Sequence, residues 1–268
     1  MANISAALVK ELRDKTDAGM MDCKKALAET NGDMTAAIEY LRKTGITKAE
    51  KRSGKTVKEG KISAVVSGNS AVMIEVLSET DFVASNDKFK GYVKSSNESL
   101  LKNTAGSDGD ISAKAQALEK ENLIGLIAVI GENIQLRRAY RFETTGKIAT
   151  YLHLGGKIGV MIDVEGESTP ELLNDICMHI AAFRPCYVRS TEVPAEAVAK
   201  EKEIASAQIT GKPANIIDKI VTGKIHKWFS DICLVNQPWI RDDKTCLEKA
   251  YPKLKIKRFI RWEVGQEL

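Results

Sequence analysis

The sequence lacks the features that define several classes of protein. Its five cysteines, at positions 23, 177, 186, 233 and 246, are an odd number without a Cys-x-x-Cys pair. We therefore interpret them as reduced thiols and expect no disulfide framework. The sequence has no apolar run near the roughly 20 residues that would span a membrane, and its first residues do not form a signal peptide. These absences predict a cytoplasmic protein.

Motifs for catalysis and for ligand binding are also missing. The three histidines lie at positions 153, 179 and 226. Cys177 and His179 on one predicted helix lack the ligand number and the spacing of a zinc site. The sequence has no Gly-x-x-x-x-Gly-Lys-Ser/Thr phosphate loop and no Gly-x-Ser-x-Gly nucleophile motif. We therefore expect no metal, no cofactor, no bound nucleotide and no enzymatic reaction.

The charge balance does not demand a polyanionic partner, because the formal net charge is only +4. Basic residues cluster after the first helical region and near the end of the chain: Lys48, Lys51, Arg52, Lys55, Lys58 and Lys61, and Lys253, Lys255, Lys257, Arg258 and Arg261. Neither cluster comes with a groove-reading helix or an aromatic stacking platform. We interpret them as a solvated linker and a strand face, and nucleic-acid binding is an alternative.

The first 44 residues predict three short helices. Apolar residues at helical spacing begin with Ile4, Leu8 and Leu12. Turn and capping signals then separate the helices at Asp17-Ala18-Gly19, Asn31-Gly32 and Asp33. A unit this small has a limited core, so we predict a separate module at 1–44, followed by a basic, Gly-containing linker at 45–60.

Two later stretches predict a β-hairpin followed by a helix. The first has strands at 62–66 and 71–77 and a helix from Thr80; the second has strands at 148–153 and 158–164 and a helix from Thr169-Pro170. This repetition predicts a duplicated ββα unit, with two similar subdomains packed as one core. Between them, apolar spacing over 123–134 favours a helix, with a strand as the alternative.

The end of the chain predicts an inserted helical hairpin and a final strand. Residues 194–229 indicate a polar helix, a break at Gly211-Lys212-Pro213 and a second helix. Such a hairpin buries little of itself, so it either pairs with a copy or lies on the core as a short antiparallel coiled coil. Residues 256–264 alternate in polarity and predict a strand that returns to the core.

Two runs are similar to the signature sequences of the translation elongation factor Ts family. The first includes Leu12-Arg13, Thr16, Gly19-Met20-Met21-Asp22 and Lys24-Lys25-Ala26-Leu27, and the second is Glu75 with Glu79-Thr80-Asp81-Phe82-Val83-Ala84. Similarity continues in GENI at 131–134, GGKIGV at 155–160, MHIAA at 178–182, GKP at 211–213 and FIRWEVG at 259–265. The sequence is therefore identified as a member of this family over nearly its whole length.

The sequence departs from the family pattern at a few positions. Asp17 stands where Gly is usual, and Leu77 and Ser85 replace a frequent Asn and a frequent basic residue. The sequence ends at Leu268, where several members continue into another helix. The resemblance therefore leaves a contact through such a helix open, whereas the exchange motif itself is intact.

The resemblance implies an α+β fold of four parts. These are an N-terminal three-helix module of the ubiquitin-associated type at 1–44, the linker at 45–60, a two-subdomain ββα-type core with antiparallel sheets at 61–145 and at 146–189 with 230–268, and an inserted antiparallel helical hairpin at 190–229. It also implies guanine nucleotide exchange on elongation factor Tu, without covalent chemistry. GDP release would be promoted by disturbing the Mg²⁺ and phosphate site of that partner.

The resemblance assigns partner docking to Arg13, Met20 and Met21, which would contact a helix of the partner's nucleotide-binding domain. Taken alone, the residue types favour a different interpretation, in which both methionines fill the core of the three-helix module. Three-helix modules of this kind also bind other proteins. A protein-interaction adaptor is therefore the alternative function.

The resemblance assigns the exchange contact to the segment Thr80, Asp81, Phe82 and Val83, and adds His153 at the tip of the second hairpin. Taken alone, the residues favour Thr80 as a helix cap, Asp81 as a favourable charge at the helix N-terminus and Phe82 as a core residue. His179 is expected to be a packed helix residue. A homodimer contact through 190–229 is a further prediction for the partners.

Overall fold

The computed structural model describes residues 4–209 and 213–267. Its helices are α1 Ala6–Thr16, α2 Met20–Glu29, α3 Met34–Arg52, α4 Asp81–Ser85, α5 Asp87–Asn103, α6 Ser112–Ile130, α7 Pro170–Phe183, α8 Ala195–Ala207, α9 Ala214–Ile232 and α10 Leu247–Ala250. Its strands are β1 Glu59–Ser67, β2 Ser70–Ser78, β3 Gly109–Asp110, β4 Ile134–Glu143, β5 Lys147–His153, β6 Ile158–Gly166, β7 Pro238–Trp239, β8 Asp242–Cys246 and β9 Leu254–Glu263. The α+β fold class is confirmed.

The turns that separate the three N-terminal helices lie at the predicted signals. Asp17 ends α1 in the left-handed conformation, with φ 56°. Asn31 and Gly32 also have positive φ after α2, and the Asp33 carboxylate accepts a hydrogen bond from the amide of Ala36 at 2.8 Å. Short polar residues and glycine tolerate these backbone conformations. The turns therefore follow from local sequence.

The third helix is longer than predicted, because α3 continues through residue 45 to Arg52. Gly45 does not end it, since this glycine faces α6. A Cβ atom at Gly45 would lie 3.2 Å from the Cβ of Ala128. Close packing on α6 offsets the helix-weakening effect of glycine. The prediction that a linker begins at residue 45 is therefore wrong for 45–52, and the division of the chain into domains stays a prediction.

The core contains two antiparallel sheets, and both predicted hairpins are confirmed. The first sheet has the order β1-β2-β4-β3 and the second has the order β5-β6-β9. Strand β4 was not predicted. The apolar residues over 123–134 were interpreted as one helix, whereas they include the end of α6 and the start of β4. Gly131, with φ 83°, caps α6 between them. The final strand is confirmed as β9.

The two sheets pack face to face, and helices cover their outer faces. In β2, Val72, Ile74 and Val76 pack with residues of α5 and α6. The alternate residues Ala71 and Met73 belong to a cluster that also contains Met161 and Trp262 of the second sheet. The outer face of the second sheet packs against α7. The period-2 alternation of the strands therefore separates the inter-sheet layer from the two outer layers.

The duplication extends to one buried carboxylate in each sheet. Glu75 in β2 and Asp163 in β6 are fully buried. Each lies at a shift in the pairing register, between β2 and β4 for Glu75 and between β6 and β9 for Asp163. The Nε of Arg138 donates to Glu75 at 2.6 Å, and the Nε of Arg258 donates to Asp163 at 3.1 Å. The same kind of ion pair therefore stands at the same place in both halves.

Each arginine of these pairs also reaches the opposite sheet. The guanidinium of Arg138 lies 4.4 Å from the ring centroid of Trp262, and that of Arg258 lies 4.2 Å from the ring centroid of Phe142. Arg258 further donates to the carbonyl of Glu143 at 3.0 Å. The two arginines therefore join the sheets as well as pairing with the buried carboxylates.

The predicted helical hairpin is present as α8 and α9, and Gly211 and Lys212 of its predicted break lie outside the described residues. The two helices share a small apolar cluster formed by Ala205, Val221 and Ile225. Helix α9 extends to Ile232, beyond the predicted end at 229. The short elements β7, β8 and α10 follow and were not predicted.

His179 is a packed helix residue, as predicted. Its ring stacks on Phe183 and on Trp239, with centroid distances of 4.6 and 5.3 Å. Its Nε2 lies 3.0 Å from Oε1 of Gln237, and burial lowers the pKa of the imidazole. The histidine therefore belongs to the core.

None of the helices within residues 4–209 and 213–267 combines the length and the apolar character needed to cross a membrane.

We predict that Arg258→Met destabilises the protein by about 3 kcal/mol, because it leaves the buried Asp163 carboxylate without its cation. The matched control is Lys253→Met, which breaks an ion pair with Glu167 in which both side chains are 75% exposed. An exposed pair contributes at most about 1 kcal/mol. Urea unfolding followed by circular dichroism measures both losses. Equal destabilisation by the two substitutions would contradict the structural role of the buried pair.

Candidate partner-binding site

The predicted helix from Thr80 is in fact two helices, and the first of them carries the exchange signature. Helix α4 ends at Ser85, and Asn86 has an extended backbone before α5. The Asn86 side chain accepts a hydrogen bond from the amide of Lys88 at 2.8 Å, so it caps α5. This break leaves α4 as a short projection directly after β2.

Phe82 points away from the core, with 83% of its surface exposed. Its neighbours Val83 and Ala84 are buried, and they pack in the same apolar cluster as Phe89 of α5. The core below α4 is therefore already filled. The interpretation of Phe82 as a core residue is wrong, and Val83 supports the projection from below.

The turn before α4 is fixed by hydrogen bonds to the start of β4. The carboxylate of Glu132 accepts from the backbone amide of Thr80 at 3.1 Å and from its hydroxyl at 2.9 Å. The Thr80 hydroxyl in turn accepts from the amide of Val83 at 3.3 Å, as predicted for the cap. Glu79 accepts from the amide of Asn133 at 2.6 Å. The backbone on either side of Asp81 and Phe82 is therefore held by hydrogen bonds, from Thr80 to Glu132 before them and from Val83 to Thr80 after them.

Glu132 and Asn133 were not identified as site residues. The only sequence signal for them is the GENI run at 131–134, which carries no chemical pattern of its own. Their positions depend on the pairing of β2 with β4. Sequence spacing alone therefore could not find them.

The tip of the second hairpin forms a second projection. His153 is exposed and stacks on Tyr151 at a centroid distance of 5.9 Å, and its Nδ1 lies 3.0 Å from the tyrosine hydroxyl. Leu154 is 70% exposed and has φ 49°, which is uncommon for leucine. The tip therefore presents an aromatic and an apolar side chain together.

This tip is attached to the start of β1. The amide of Ile62 donates to the carbonyl of Gly156 at 2.7 Å, and Nζ of Lys61 donates to the carbonyl of Gly155 at 2.8 Å. Gly156 has φ 96°, and a Cβ there would lie 2.7 Å from the carbonyl oxygen of Ile62. Helix α4 also contacts β1. The same strand therefore supports both projections.

Arg13, Met20 and Met21 come together on the surface of the three-helix module. Met20 is 59% exposed and Met21 is 73% exposed. Together with Ile4 and Val9, these three residues line a groove of about 520 Å³. The module core is instead filled by other apolar residues, which are Leu12, Cys23, Ala26, Leu27 and Ala37. The interpretation of the methionines as core residues is therefore wrong.

Fold and site together define a protein with exposed apolar surfaces that another protein could contact. Exposed apolar side chains stand on fixed backbone in two regions, the helix α4 with the hairpin tip and the groove of the module. Within residues 4–209 and 213–267, no group of three or more His, Cys, Asp or Glu side chains is placed to hold a metal ion. The arrangement offers docking surfaces on which a partner can bury apolar area.

Comparison with known proteins identifies the family. The family model described as "Elongation factor TS" matches residues 79–266. The elongation factor Ts of Halothermothrix orenii is 44% identical, over 98% of this chain and 93% of that protein. The elongation factor Ts of Thioalkalivibrio sulfidiphilus is 47% identical over 98% of this chain and 92% of that protein. The chain belongs to the elongation factor Ts family, which implies the role of a nucleotide exchange factor for elongation factor Tu in translation.

We predict that Thr80→Ala loosens the base of α4. Loss of an N-cap hydroxyl costs about 1 kcal/mol of local stability, because the amide of Val83 loses its acceptor. Amide hydrogen exchange at Val83 should therefore become faster, by a factor on the order of 5. Thr80→Ser is the matched control, since it keeps the hydroxyl and should keep slow exchange. Unchanged exchange in Thr80→Ala would show that this cap does not hold the turn.

Proposed function

We propose that this protein releases GDP from elongation factor Tu by contacting it in two separate regions. The groove formed by Arg13, Met20 and Met21 docks on a helix of the partner's nucleotide-binding domain. The projection of Asp81 and Phe82 then enters beside the partner's Mg²⁺ site, with His153 contacting the partner nearby. The observation that carries this proposal is the exposure of Phe82 on a helix whose base is fixed by hydrogen bonds.

An exposed phenylalanine leaves apolar area in contact with water, which is unfavourable in the free protein, and a partner can bury that area at an interface. Burying it against a partner contributes about 1.5–3 kcal/mol. Because the backbone of α4 is already ordered, little conformational entropy is lost on binding. The contact can therefore supply free energy to move a structural element of the partner.

Displacement of the metal ion is the most direct use of this free energy. Mg²⁺ requires near-ideal octahedral geometry and is held at nucleotide sites by few protein ligands together with the phosphates. If Phe82 shifts a partner helix by a small distance, the partner would therefore bind Mg²⁺ more weakly. The Asp81 carboxylate adds a negative charge beside phosphates that have lost their cation. No covalent bond is made or broken, so the activity is not enzymatic.

Exchange follows from thermodynamic coupling. The factor and the nucleotide each bind the partner, and each lowers the affinity of the other by the same ratio. GDP therefore dissociates quickly from the complex of all three components. GTP then binds and displaces the factor. We expect this cycle to operate in the cytoplasm.

The adaptor function is the second candidate, because the groove of the module is a docking surface without any need for the exchange projection. The helical hairpin offers another contact, since Ile204 in α8 and Ile216 in α9 are 43% and 42% exposed. We propose a second copy of this chain as its partner. Both contacts are compatible with exchange, but neither by itself releases nucleotide.

We predict that Phe82→Ala lowers the rate of GDP release from elongation factor Tu by a factor of about 10 or more, because loss of about 1.4 kcal/mol corresponds to tenfold. Asp81→Ala should also lower the rate. Release of fluorescent GDP into excess unlabelled GDP measures this effect. Leu118→Ala is the matched control, since it removes an exposed apolar side chain of α6. Wild-type rates in both site variants would refute the intrusion mechanism.

We predict that Met21→Lys weakens association with elongation factor Tu by about tenfold, through the loss of roughly 1.4 kcal/mol of apolar contact, while the exchange rate at saturating factor is preserved. Substitution is the better test of the anchor, because deletion of residues 1–44 would cut through α3. Titration of the exchange rate against factor concentration separates the two quantities. Leu118→Lys is the control. A lower plateau with unchanged half-saturation would contradict the anchor role.

A further inference from the structure

Lys61 carries a positive charge that forms no ion pair with any residue in 4–209 and 213–267. Its Nζ donates to the carbonyl of Gly155 at 2.8 Å. Among the residues that the structure describes, no carboxylate oxygen lies within 4.0 Å of this ammonium. The neighbouring cations differ in this respect, because Lys157 pairs with Glu59 and Lys90 pairs with Asp87. Among the described residues, the charge of Lys61 is therefore met by a backbone carbonyl and not by a carboxylate.

Lys61 binds Gly155 in the tip of the second hairpin, Lys157 lies two residues further along that tip, and Lys90 lies in α5, which contacts β1. Partial burial is the main cause that lowers the pKa of Lys61, and the positive charges of Lys90 and Lys157 lower it further. Their mutual repulsion is unfavourable in the free chain, and Lys61 is itself half-buried, which limits its hydration. An anionic group bound here would remove both costs. The cluster formed by Lys61, Lys90 and Lys157 therefore has the energetics of an anion-binding surface.

The position of this lysine cluster connects it to the exchange site. Lys61 lies in β1, next to the residue that hydrogen-bonds the hairpin tip, and β1 also contacts α4. The exposed side chains of Phe82 and Leu154 belong to these two projections. A protein that contacts both projections would bring part of its surface over Lys61.

We propose that the lysine cluster binds an acidic surface segment of the partner, between the contacts made by Phe82 and by the tip of the second hairpin. This inference rests on the proposed function, which supplies the partner. Carboxylates at the rim of a Mg²⁺ site fit this position, because they lose a compensating cation when the metal ion leaves. The ammonium of Lys61 then stabilises the metal-free state and favours exchange.

A protein carboxylate explains the site better than a nucleic-acid phosphate. Strong binding to a nucleic acid needs several aligned contacts to successive phosphates. Here Lys90 and Lys157 are already paired, and exposed apolar side chains belong to the elements on either side. One recessed cation between apolar projections matches a single acidic segment of a folded surface.

The proposal predicts a salt-dependent association rate. Complementary charge accelerates encounter, and dissolved ions screen it, with a Debye length of about 10 Å at 0.1 M and about 3 Å at 1 M. Lys61→Gln should therefore lower the association rate constant by a factor on the order of 3 to 10 at low ionic strength. The difference in association rate constant from the wild-type protein should largely disappear near 1 M salt, where the Debye length is only about 3 Å.

The experiment measures association of the full-length protein with elongation factor Tu carrying fluorescent GDP, by stopped flow over a series of salt concentrations. Lys61→Arg keeps the charge and should keep the wild-type salt dependence. Lys90→Gln removes a cluster charge without touching the hairpin tip, so it should also flatten the salt dependence. Lys253→Gln is the control, because it removes an exposed lysine that pairs with Glu167 at the other end of the second sheet.

Each outcome separates the inference from the proposed function. If the association rate constants of the wild-type protein, Lys61→Gln and Lys90→Gln depend on salt in the same way, the lysine cluster is not a docking site. The proposed exchange function would still stand. If only Lys61→Gln lowers the association rate constant, and does so equally at every salt concentration, Lys61 acts by supporting the hairpin tip. That result would also overturn the docking proposal. Tight, salt-dependent binding of a single-stranded RNA that Lys61→Gln abolishes, with unchanged association to the protein partner, would favour nucleic acid instead. Failure of the wild-type protein to accelerate GDP release would overturn the proposed function itself.

Discussion

Two buried ion pairs fix the orientation of the two sheets, and the rest of the structure depends on that orientation. Glu75 and Asp163 are fully buried carboxylates in equivalent strands, and each binds an arginine from the adjacent strand. Each arginine then stacks on an aromatic ring of the opposite sheet. A buried carboxylate that lost its arginine would be left without its partner in the inter-sheet layer. Sliding of one sheet over the other is therefore costly, because it would break the contacts of both arginines with the opposite sheet.

This constraint determines where the exposed side chains stand relative to each other. Helix α4 follows the first hairpin and the projection with His153 is the tip of the second, so they belong to different sheets. Their distance is defined only because the sheets are locked and because β1 supports both. A rigid two-point surface loses little entropy when it binds, so more of its contact free energy can act on the partner. The groove of the three-helix module is held against the core by the packing of α3 on α6.

The exposed residues at these projections lower the stability and the solubility of the free protein, and their backbones explain how the cost is contained. Leu154 adopts a positive φ and Phe82 is almost fully exposed. The backbone beside each of them is held by hydrogen bonds: Thr80 caps α4 and is bonded to Glu132, and Gly156 is bonded to Ile62. Strain and exposure are therefore confined to a few side chains that the surrounding structure holds in place.

The sequence by itself determined the features that depend on neighbouring residues. Turns at Asp17 and Asn31, the caps Asp33, Thr80 and Thr169, both hairpins and the final strand follow from backbone preferences over a few positions, and the two signature runs identified the family. Only the tertiary structure decided the exposure of Met20, Met21 and Phe82, because burial depends on which other residues fill the core. It also decided the continuation of α3 through Gly45, the existence of β4 and the anchoring role of Glu132. These depend on contacts between residues far apart in the chain, and such contacts leave no periodic signal in the sequence.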